Sequence, residues 1–298
     1  MKNLLPALIL ILVAPVLASS QAERAPINGG LLAYQQHGAG EAILTIHGAL
    51  VADAFLPILD QPALDGYRMV QYRRSGYSNS AALDPAPERF LDRAVSDAIA
   101  LLDYLDVDRA HLVGHSSGGI IAMAVALRAP ERVQSIVLLE PAVGVGPAAE
   151  ALFAHIGRAA SYHQAGDSAA AVDAFLTRLT RPEWEELIND RVPGAVDQAI
   201  TDAGTFFELE LPGLSEFQFD ETLAAQVSMP VLYVLGSESS AIAGADGFFE
   251  QSKQLLTNKL PNAESITLDG VDHSMQIGFP EQLAAVVAEF VARHPIEH

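Results

Sequence analysis

The chain of 298 residues contains no cysteine and few basic side chains. Without cysteine, the protein can form no disulfide bond, thiolate metal site, cysteine nucleophile or lipid-modified cysteine anchor. Only 17 lysine and arginine residues accompany 37 aspartate and glutamate residues, and the formal net charge is −20. Because phosphate backbones and anionic lipids repel such a charge, we expect neither nucleic acids nor membrane surfaces as partners.

Sequence signatures of cofactors are missing as well. The chain has no phosphate-binding loop, no dinucleotide-binding glycine pattern and no helix with two metal-ligating histidines. We therefore expect no cofactor and no metal ion, and a small-molecule substrate as the partner. Half of the residues are apolar and 18% are charged, which is typical of a folded globular protein.

The first 22 residues have the pattern of a secretory signal. Lys2 precedes an apolar stretch at residues 4–17, and mostly small residues follow up to Ala22, as in the charged, hydrophobic and cleavage regions of a signal peptide. An uncleaved anchor helix is the alternative, but a helix needs about 20 apolar residues to span a bilayer. We predict that residues 1–22 are removed. The mature protein is then expected in the periplasm or the medium, without stable membrane insertion.

Short β-rich runs alternate with helical patterns over most of the remaining chain. Brief apolar runs typical of strands buried on both faces lie at residues 42–46, 68–72, 110–113, 135–139 and 231–235. Apolar side chains at helical spacing between residues 91 and 105, and again between 283 and 291, predict amphipathic helices. This alternation predicts an α/β fold with a mostly parallel sheet covered on both faces.

The alternation stops between residues 141 and 229, where alanine-rich helical windows replace the strands. We interpret this segment as a helical lid, because an insertion between sheet strands lies near the crevice where α/β proteins bind ligands. The sequence therefore predicts a core formed by residues 23–140 and 230–298, with a lid at 141–229.

A candidate nucleophile lies in the Gly-His-Ser-Ser-Gly sequence at residues 114–118. The pattern follows a predicted strand and precedes a predicted helix, the context in which a serine occupies a sharp, strained turn called the nucleophile elbow. Ser116 is then the nucleophile, and the backbone N–H of Ser117 provides one half of an oxyanion hole.

Two further loops complete this chemistry. His47 and Gly48 follow an early strand, so the backbone N–H of Ala49 is the candidate for the second oxyanion donor, with His47 holding the loop. A serine hydroxyl needs a general base. His273, in a loop between a short strand and the final helix, is the candidate for that base.

Taken in order, these residues resemble the α/β-hydrolase fold family. The similarity rests on residues 30–40 as the opening hairpin, His47 and Gly48, residues 72–78 in a loop that usually reads with two glycines and a serine, Ser116, residues 139–141 and His273. The resemblance implies an eight-stranded, mostly parallel sheet with a helical cap and a triad of serine, acid and histidine.

The acid of that triad departs from the family pattern. Members usually carry an aspartate three residues after a glycine at the end of the strand before the histidine strand, and Ser239 occupies that place here. Two carboxylates could substitute. Glu140 follows the strand after the elbow helix, where some relatives carry their acid, and Glu238 lies one position before Ser239. We favour Glu140 and keep Glu238 as the alternative.

Apolar residues near the predicted site are candidates for substrate binding. Phe206 and Phe207 lie in the predicted lid, and Met275 follows the predicted base. We expect a serine hydrolase that cleaves a small ester or related acyl compound through an acyl-enzyme intermediate. A cofactor-free peroxidase or a carbon–carbon bond hydrolase with the same triad is an alternative. So is a binding protein without turnover, which the serine at position 239 favours.

Overall fold

The computed structural model describes residues 22–82, 89–144, 146–217, 219–239 and 247–297. The predicted signal peptide therefore lies, except for its last residue, outside the described part of the chain. Within the described ranges, no helix is both long enough and apolar enough to cross a bilayer.

Eight strands form a single sheet. In chain order they are β1 (Glu23–Ile27), β2 (Gly30–His37), β3 (Glu41–Ile46), β4 (Tyr67–Tyr72), β5 (Ala110–His115), β6 (Val133–Leu139), β7 (Val231–Gly236) and β8 (Ala263–Leu268). Their spatial order is β1-β2-β4-β3-β5-β6-β7-β8. The β1–β2 and β2–β4 pairs are antiparallel and the other pairs are parallel. The predicted α/β fold with an eight-stranded, mostly parallel sheet is confirmed.

The opening hairpin lies earlier in the chain than the expected residues 30–40. It consists of β1 and β2, joined at Asn28 and Gly29, whose φ angles are 48° and 80°. Two central residues with positive φ form the turn whose twist matches that of the flanking strands. Residues 30–40 instead contain β2 and the turn into β3, and β2 pairs with β4 rather than β3.

Helices cover the sheet and also form a separate group. In chain order they are α1 (Phe90–Tyr104), α2 (Ser117–Arg128), α3 (Pro147–Gln164), α4 (Ser168–Leu179), α5 (Trp184–Arg191), α6 (Ala195–Thr201), a π-helix (Thr205–Glu210), α7 (Leu211–Leu214), α8 (Glu221–Ala224), α9 (Phe248–Lys259), α10 (Met275–Gly278) and α11 (Pro280–Ala292). The elements from α3 to α8 lie between β6 and β7, and we call them the inserted helices.

The two faces of the sheet have separate apolar cores. Successive residues of a strand point to opposite faces, so Leu44 belongs to the core that includes α1, α2, α9 and the inserted helices, whereas Ile43 belongs to the core that includes α11. Both strands that precede the candidate nucleophile and the candidate acid, β5 and β6, are buried on both faces. Their carboxyl ends are therefore held firmly where the candidate site begins.

Candidate active site

The predicted site residues meet at the carboxyl ends of the parallel strands. Ser116 follows β5, Glu140 follows β6, Ala49 lies in the loop after β3 and His273 in the loop after β8. This is the edge at which open α/β sheets bind their ligands.

Ser116 occupies a sharp turn between β5 and α2, with φ 52° and ψ −119°. A side chain at Gly118 would place its Cβ 2.2 Å from the carbonyl oxygen of Ile46, and one at Gly114 would place it 2.5 Å from the carbonyl oxygen of Gly118. Both approaches are far inside van der Waals contact. The glycines of the pattern are thus required by the close packing of β5, α2 and β3 around the serine.

Two backbone N–H groups are available next to Ser116. Ser117 is the first residue of α2, so its N–H has no acceptor within the helix and lies at the positive end of the helix dipole. Ala49 and Ser117 both border the same cavity as Ser116. These are the two residues predicted to form the oxyanion hole.

Glu140 is in direct contact with His273. Its Oε2 lies 2.6 Å from Nδ1 of the imidazole, and its Oε1 accepts a hydrogen bond of 2.7 Å from the backbone N–H of Gly236. Glu140 is completely buried and has a φ of 43°. The carboxylate at Nδ1 favours the tautomer that leaves Nε2 free to accept a proton.

Glu238 is placed differently. It is exposed, accepts a hydrogen bond from Ser237 and borders an outer surface groove. Asp272, the neighbour of His273 in sequence, pairs with Arg181 at 2.6 Å. Neither carboxylate approaches the imidazole nitrogens as Glu140 does. The hydroxyl of Ser239 is buried and lies near the Glu140 carboxyl.

Burial dominates the electrostatics of the Glu140–His273 pair. It raises the pKa of the Glu140 carboxyl, which the N–H of Gly236 and the nearby hydroxyl of Ser239 lower again. Burial lowers the pKa of His273, and the charge of Asp272 acts in the opposite direction. Loss of water therefore keeps the imidazole neutral, which is the protonation state of a general base.

Ser116 and His273 line the wall of one cavity. No hydrogen bond joins the Ser116 hydroxyl to the imidazole within the described residues, and such contacts in ligand-free active sites often tighten only when substrate binds. The ring of Phe249 stacks on that of His273 at a centroid distance of 4.4 Å. The sequence reasoning missed Phe249. The adjacent phenylalanines at 248 and 249 were the available signal, but nothing in their spacing connects them with a histidine 24 positions later.

Two cavities of unequal size meet at Ser116. The smaller, of about 40 Å³, lies next to His115, His273 and Gln276. The larger, of about 400 Å³, is mostly apolar and is formed by α2, α9 and the inserted helices. Ala49, Ser116, Phe175 and Leu179 border both. The larger volume is in the range typical of small-molecule sites.

The predicted substrate-binding residues differ in position. Phe206 lines the larger cavity. Phe207 packs against Phe206 at a ring distance of 4.8 Å and stacks on His163, but it does not line either cavity. Met275 is fully buried in the core beside α11. Of the three, only Phe206 is placed to touch a ligand bound at Ser116. No group of three or more potential metal ligands occurs in the described part of the chain.

Comparisons with known proteins agree with the fold. The sequence profile described as "Alpha/beta hydrolase family" matches residues 30–286. The chain is 26% identical over 277 residues to the "Dihydrolipoyllysine-residue acetyltransferase component of acetoin cleaving system" of Pseudomonas putida, over 91% of this chain and 70% of that protein. It is 25% identical over 265 residues to the "Putative carbamate hydrolase RutD" of Stutzerimonas stutzeri, over 87% of this chain and 96% of that protein.

A solved structure has the same fold. A thermophilic esterase from Thermogutta terrifontis superimposes with a TM-score of 0.74, over 93% of this chain and 100% of that one, at 18% identity. At this identity the similarity concerns the fold alone.

Proposed function

Because the chain belongs to the alpha/beta hydrolase family, we propose that it is a serine hydrolase that cleaves a small ester or related acyl compound through an acyl-enzyme intermediate. The observation that carries this proposal is the buried contact of 2.6 Å between Glu140 and His273, beside a serine held at a strained elbow. A carboxylate, an imidazole and a serine in these positions are the parts of a catalytic triad.

In the proposed reaction, Ser116 Oγ attacks the substrate carbonyl while Nε2 of His273 takes its proton. The N–H groups of Ala49 and Ser117 stabilise the resulting oxyanion. The intermediate collapses, the leaving alcohol takes the proton from His273, and the acyl group remains on Ser116. Water then attacks the acyl-enzyme ester while His273 takes one of its protons. The bond between the acyl carbon and Ser116 Oγ breaks, His273 returns the proton to Ser116, and the acid is released.

Glu140 at the imidazole also bears on the alternative of a binding protein without turnover. That alternative depended on the serine at position 239, where the family usually has its acid. The contact of Glu140 with His273 supports a different acid and weakens the case for a protein without turnover. The cofactor-free peroxidase alternative has no observation in its favour beyond the three residues themselves. The carbon–carbon bond hydrolase alternative has one, because the chain is 32% identical over 121 residues, 37% of its length, to the "2-hydroxy-6-oxo-6-phenylhexa-2,4-dienoate hydrolase" of Comamonas testosteroni.

A fluorophosphonate probe tests the proposal directly, because labelling requires an activated serine. We expect labelling of the wild type and hydrolysis of p-nitrophenyl esters, with both lost in Ser116→Ala. Replacement of His273 with glutamine should lower kcat by several orders of magnitude, since triad members act as a unit. Ser161→Ala on the exposed surface of α3 is the control and should label normally. Full labelling of Ser116→Ala would contradict the assignment.

We also propose that the inserted helices act as a lid that limits the size of the bound group, because their side chains line the larger cavity.

We propose in addition that the chain is exported after removal of residues 1–22. Sequencing the N-terminus of the protein recovered from the periplasm or medium tests the export.

A further inference from the structure

Arg74 forms a buried connection between the inserted helices and the candidate oxyanion loop. The residue follows β4 and is 2% exposed. Its Nη2 donates a hydrogen bond of 2.9 Å to the carbonyl oxygen of Gly48 and contacts both carboxylate oxygens of Glu210 at 3.0 Å. The hydroxyl of Tyr77 also donates to Glu210. Glu210 is the last residue of the π-helix and is completely buried.

His47 completes this network from the other side. Burial and the charge of Arg74 hold the pKa of His47 well below its usual value, so the imidazole is neutral. Its Nε2 accepts the backbone N–H of Arg74 at 3.1 Å. Nδ1 must then carry the proton, and it donates to the carbonyl oxygen of Gly48 at 2.7 Å. The carbonyl of Gly48 therefore accepts two buried hydrogen bonds.

These two bonds determine the direction of the Ala49 N–H. The carbonyl of Gly48 and the N–H of Ala49 belong to one planar, trans peptide group, so they point in opposite directions. Holding the oxygen toward Arg74 and His47 holds the N–H away from them. The following residue, Leu50, has a φ of 66°, which is unfavourable for a residue with a branched side chain. The loop thus needs partners outside itself to keep this conformation.

Stability alone does not explain the buried contact between Arg74 and Glu210. Burying an ion pair costs desolvation energy that the pairing often does not recover. In addition, Nε and Nη1 of Arg74 have no hydrogen-bond partner among the described residues, although the guanidinium lies over the rings of Tyr77 and Phe90 at 4.8 and 5.8 Å. Buried polar groups without hydrogen bonds require an explanation. Here the contacts run from Glu210 through Arg74 to the carbonyl of Gly48, which suggests that Arg74 is kept for its effect on that carbonyl.

We propose that Arg74 is a positioning residue that aims the Ala49 N–H at the oxyanion, and that Glu210 on the inserted helices holds Arg74 in place. The oxyanion hole then forms only when the inserted helices are packed with Glu210 against Arg74. This inference rests on the proposed function for its catalytic consequence.

The kinetic test compares an oxo-ester with the matching thionoester. Sulfur accepts hydrogen bonds poorly, so only the oxo-ester benefits from the oxyanion hole. In Arg74→Met we expect kcat for the oxo-ester to fall about 100-fold, as for the loss of one oxyanion donor, with KM little changed and a much smaller fall for the thionoester. Glu210→Gln should change the ratio in the same direction by less. The control is Arg73→Met, since the Arg73 guanidinium pairs with Asp53 and contacts Asn79 rather than Gly48.

A second measurement follows the peptide group itself and does not depend on turnover. Labelling glycine at its carbonyl carbon with ¹³C and alanine at its nitrogen with ¹⁵N selects Gly–Ala peptides, of which the sequence has four, at positions 38, 48, 194 and 244. We expect Arg74→Met and Glu210→Gln to shift the signal of the Gly48–Ala49 peptide and to leave that of the 194 peptide in place. Arg73→Met should shift neither.

Equal losses for the oxo-ester and the thionoester would overturn the inference, because they indicate general damage. An unshifted Gly48–Ala49 signal would overturn it as well, even if activity fell. A wild-type protein that hydrolyses no ester and resists the fluorophosphonate would instead contradict the proposed function, and the peptide signals would still decide whether Arg74 orients the loop.

Discussion

Glu140 and Glu238 are chemically identical side chains with opposite surroundings. Glu140 is completely buried between the Gly236 N–H and His273, whereas Glu238 is exposed. We expect Glu140→Gln to lower kcat by about 10⁴-fold, because an amide cannot stabilise the imidazolium or hold its tautomer. The measurement is kcat for a p-nitrophenyl ester, with folding checked by circular dichroism.

Glu238→Gln is the matched control and should keep nearly normal kcat, since an exposed charge interacts weakly with its surroundings. A severe loss in this variant together with a near-normal rate in Glu140→Gln would reverse the assignment of the acid.

At this scale, local patterns predict some residues and not others. The positions of Ser116 and His273 follow from short motifs in a strand and loop context. The contact between Arg74 and Glu210 joins residues 136 positions apart, and no periodicity or spacing connects them. It depends on how the π-helix packs, which is a property of tertiary structure alone.

Among the elements, the π-helix brings Phe206 and Phe207 to different places. Phe206 lines the larger cavity, and Phe207 packs behind it. We expect Phe206→Ala to lengthen the preferred acyl chain. Two additional buried methylenes contribute about 1.6 kcal/mol, or roughly 15-fold in relative kcat/KM. The measurement is kcat/KM across a series of esters from acetate to decanoate.

Phe207→Ala is the comparison, and a smaller shift is expected because its ring has no contact with the cavity. If trimming Phe206 leaves the chain-length profile untouched, this side chain does not limit the bound group.

The helical character of residues 141–229 could be recognised from composition, but the pose of these helices could not. Their packing on the sheet is determined by side-chain shape rather than by sequence period.

For the whole molecule, buried histidines connect stability with pH. Burial lowers the pKa of His47, His111 and His115, so the unfolded chain binds more protons than the folded protein below pH 6.5. Stability is then fully present above that pH and falls as the pH decreases. Burial raises the pKa of Glu140 and lowers that of His273, so these two groups act in opposite directions, and Asp202, whose pKa is raised by burial, also opposes the histidines.

We therefore expect the free energy of unfolding to fall between pH 7 and pH 5, by up to about 1.4 kcal/mol per pH unit for each additional proton bound on unfolding. Urea titrations at both pH values measure this fall. His111→Asn should reduce the slope, because one buried histidine is removed away from the candidate site. His37→Asn, at an exposed position, should leave it unchanged, and equal slopes in all three proteins would contradict this account.

The unequal cavities on either side of Ser116 also give the site a handedness. If the N–H groups of Ala49 and Ser117 hold the substrate carbonyl as proposed, the carbonyl presents only one face to the serine. Compartments of about 40 and 400 Å³ then accept the small and large substituents of a neighbouring stereocentre in only one order. A stereocentre next to the carbonyl fits in one configuration, and its mirror image must place the larger group in the smaller space. An energy difference of only 1.4 kcal/mol between the two corresponds to tenfold. Racemic esters with one methyl and one bulky apolar substituent should therefore be hydrolysed with a clear preference for one enantiomer, which chiral chromatography of the released acid would measure.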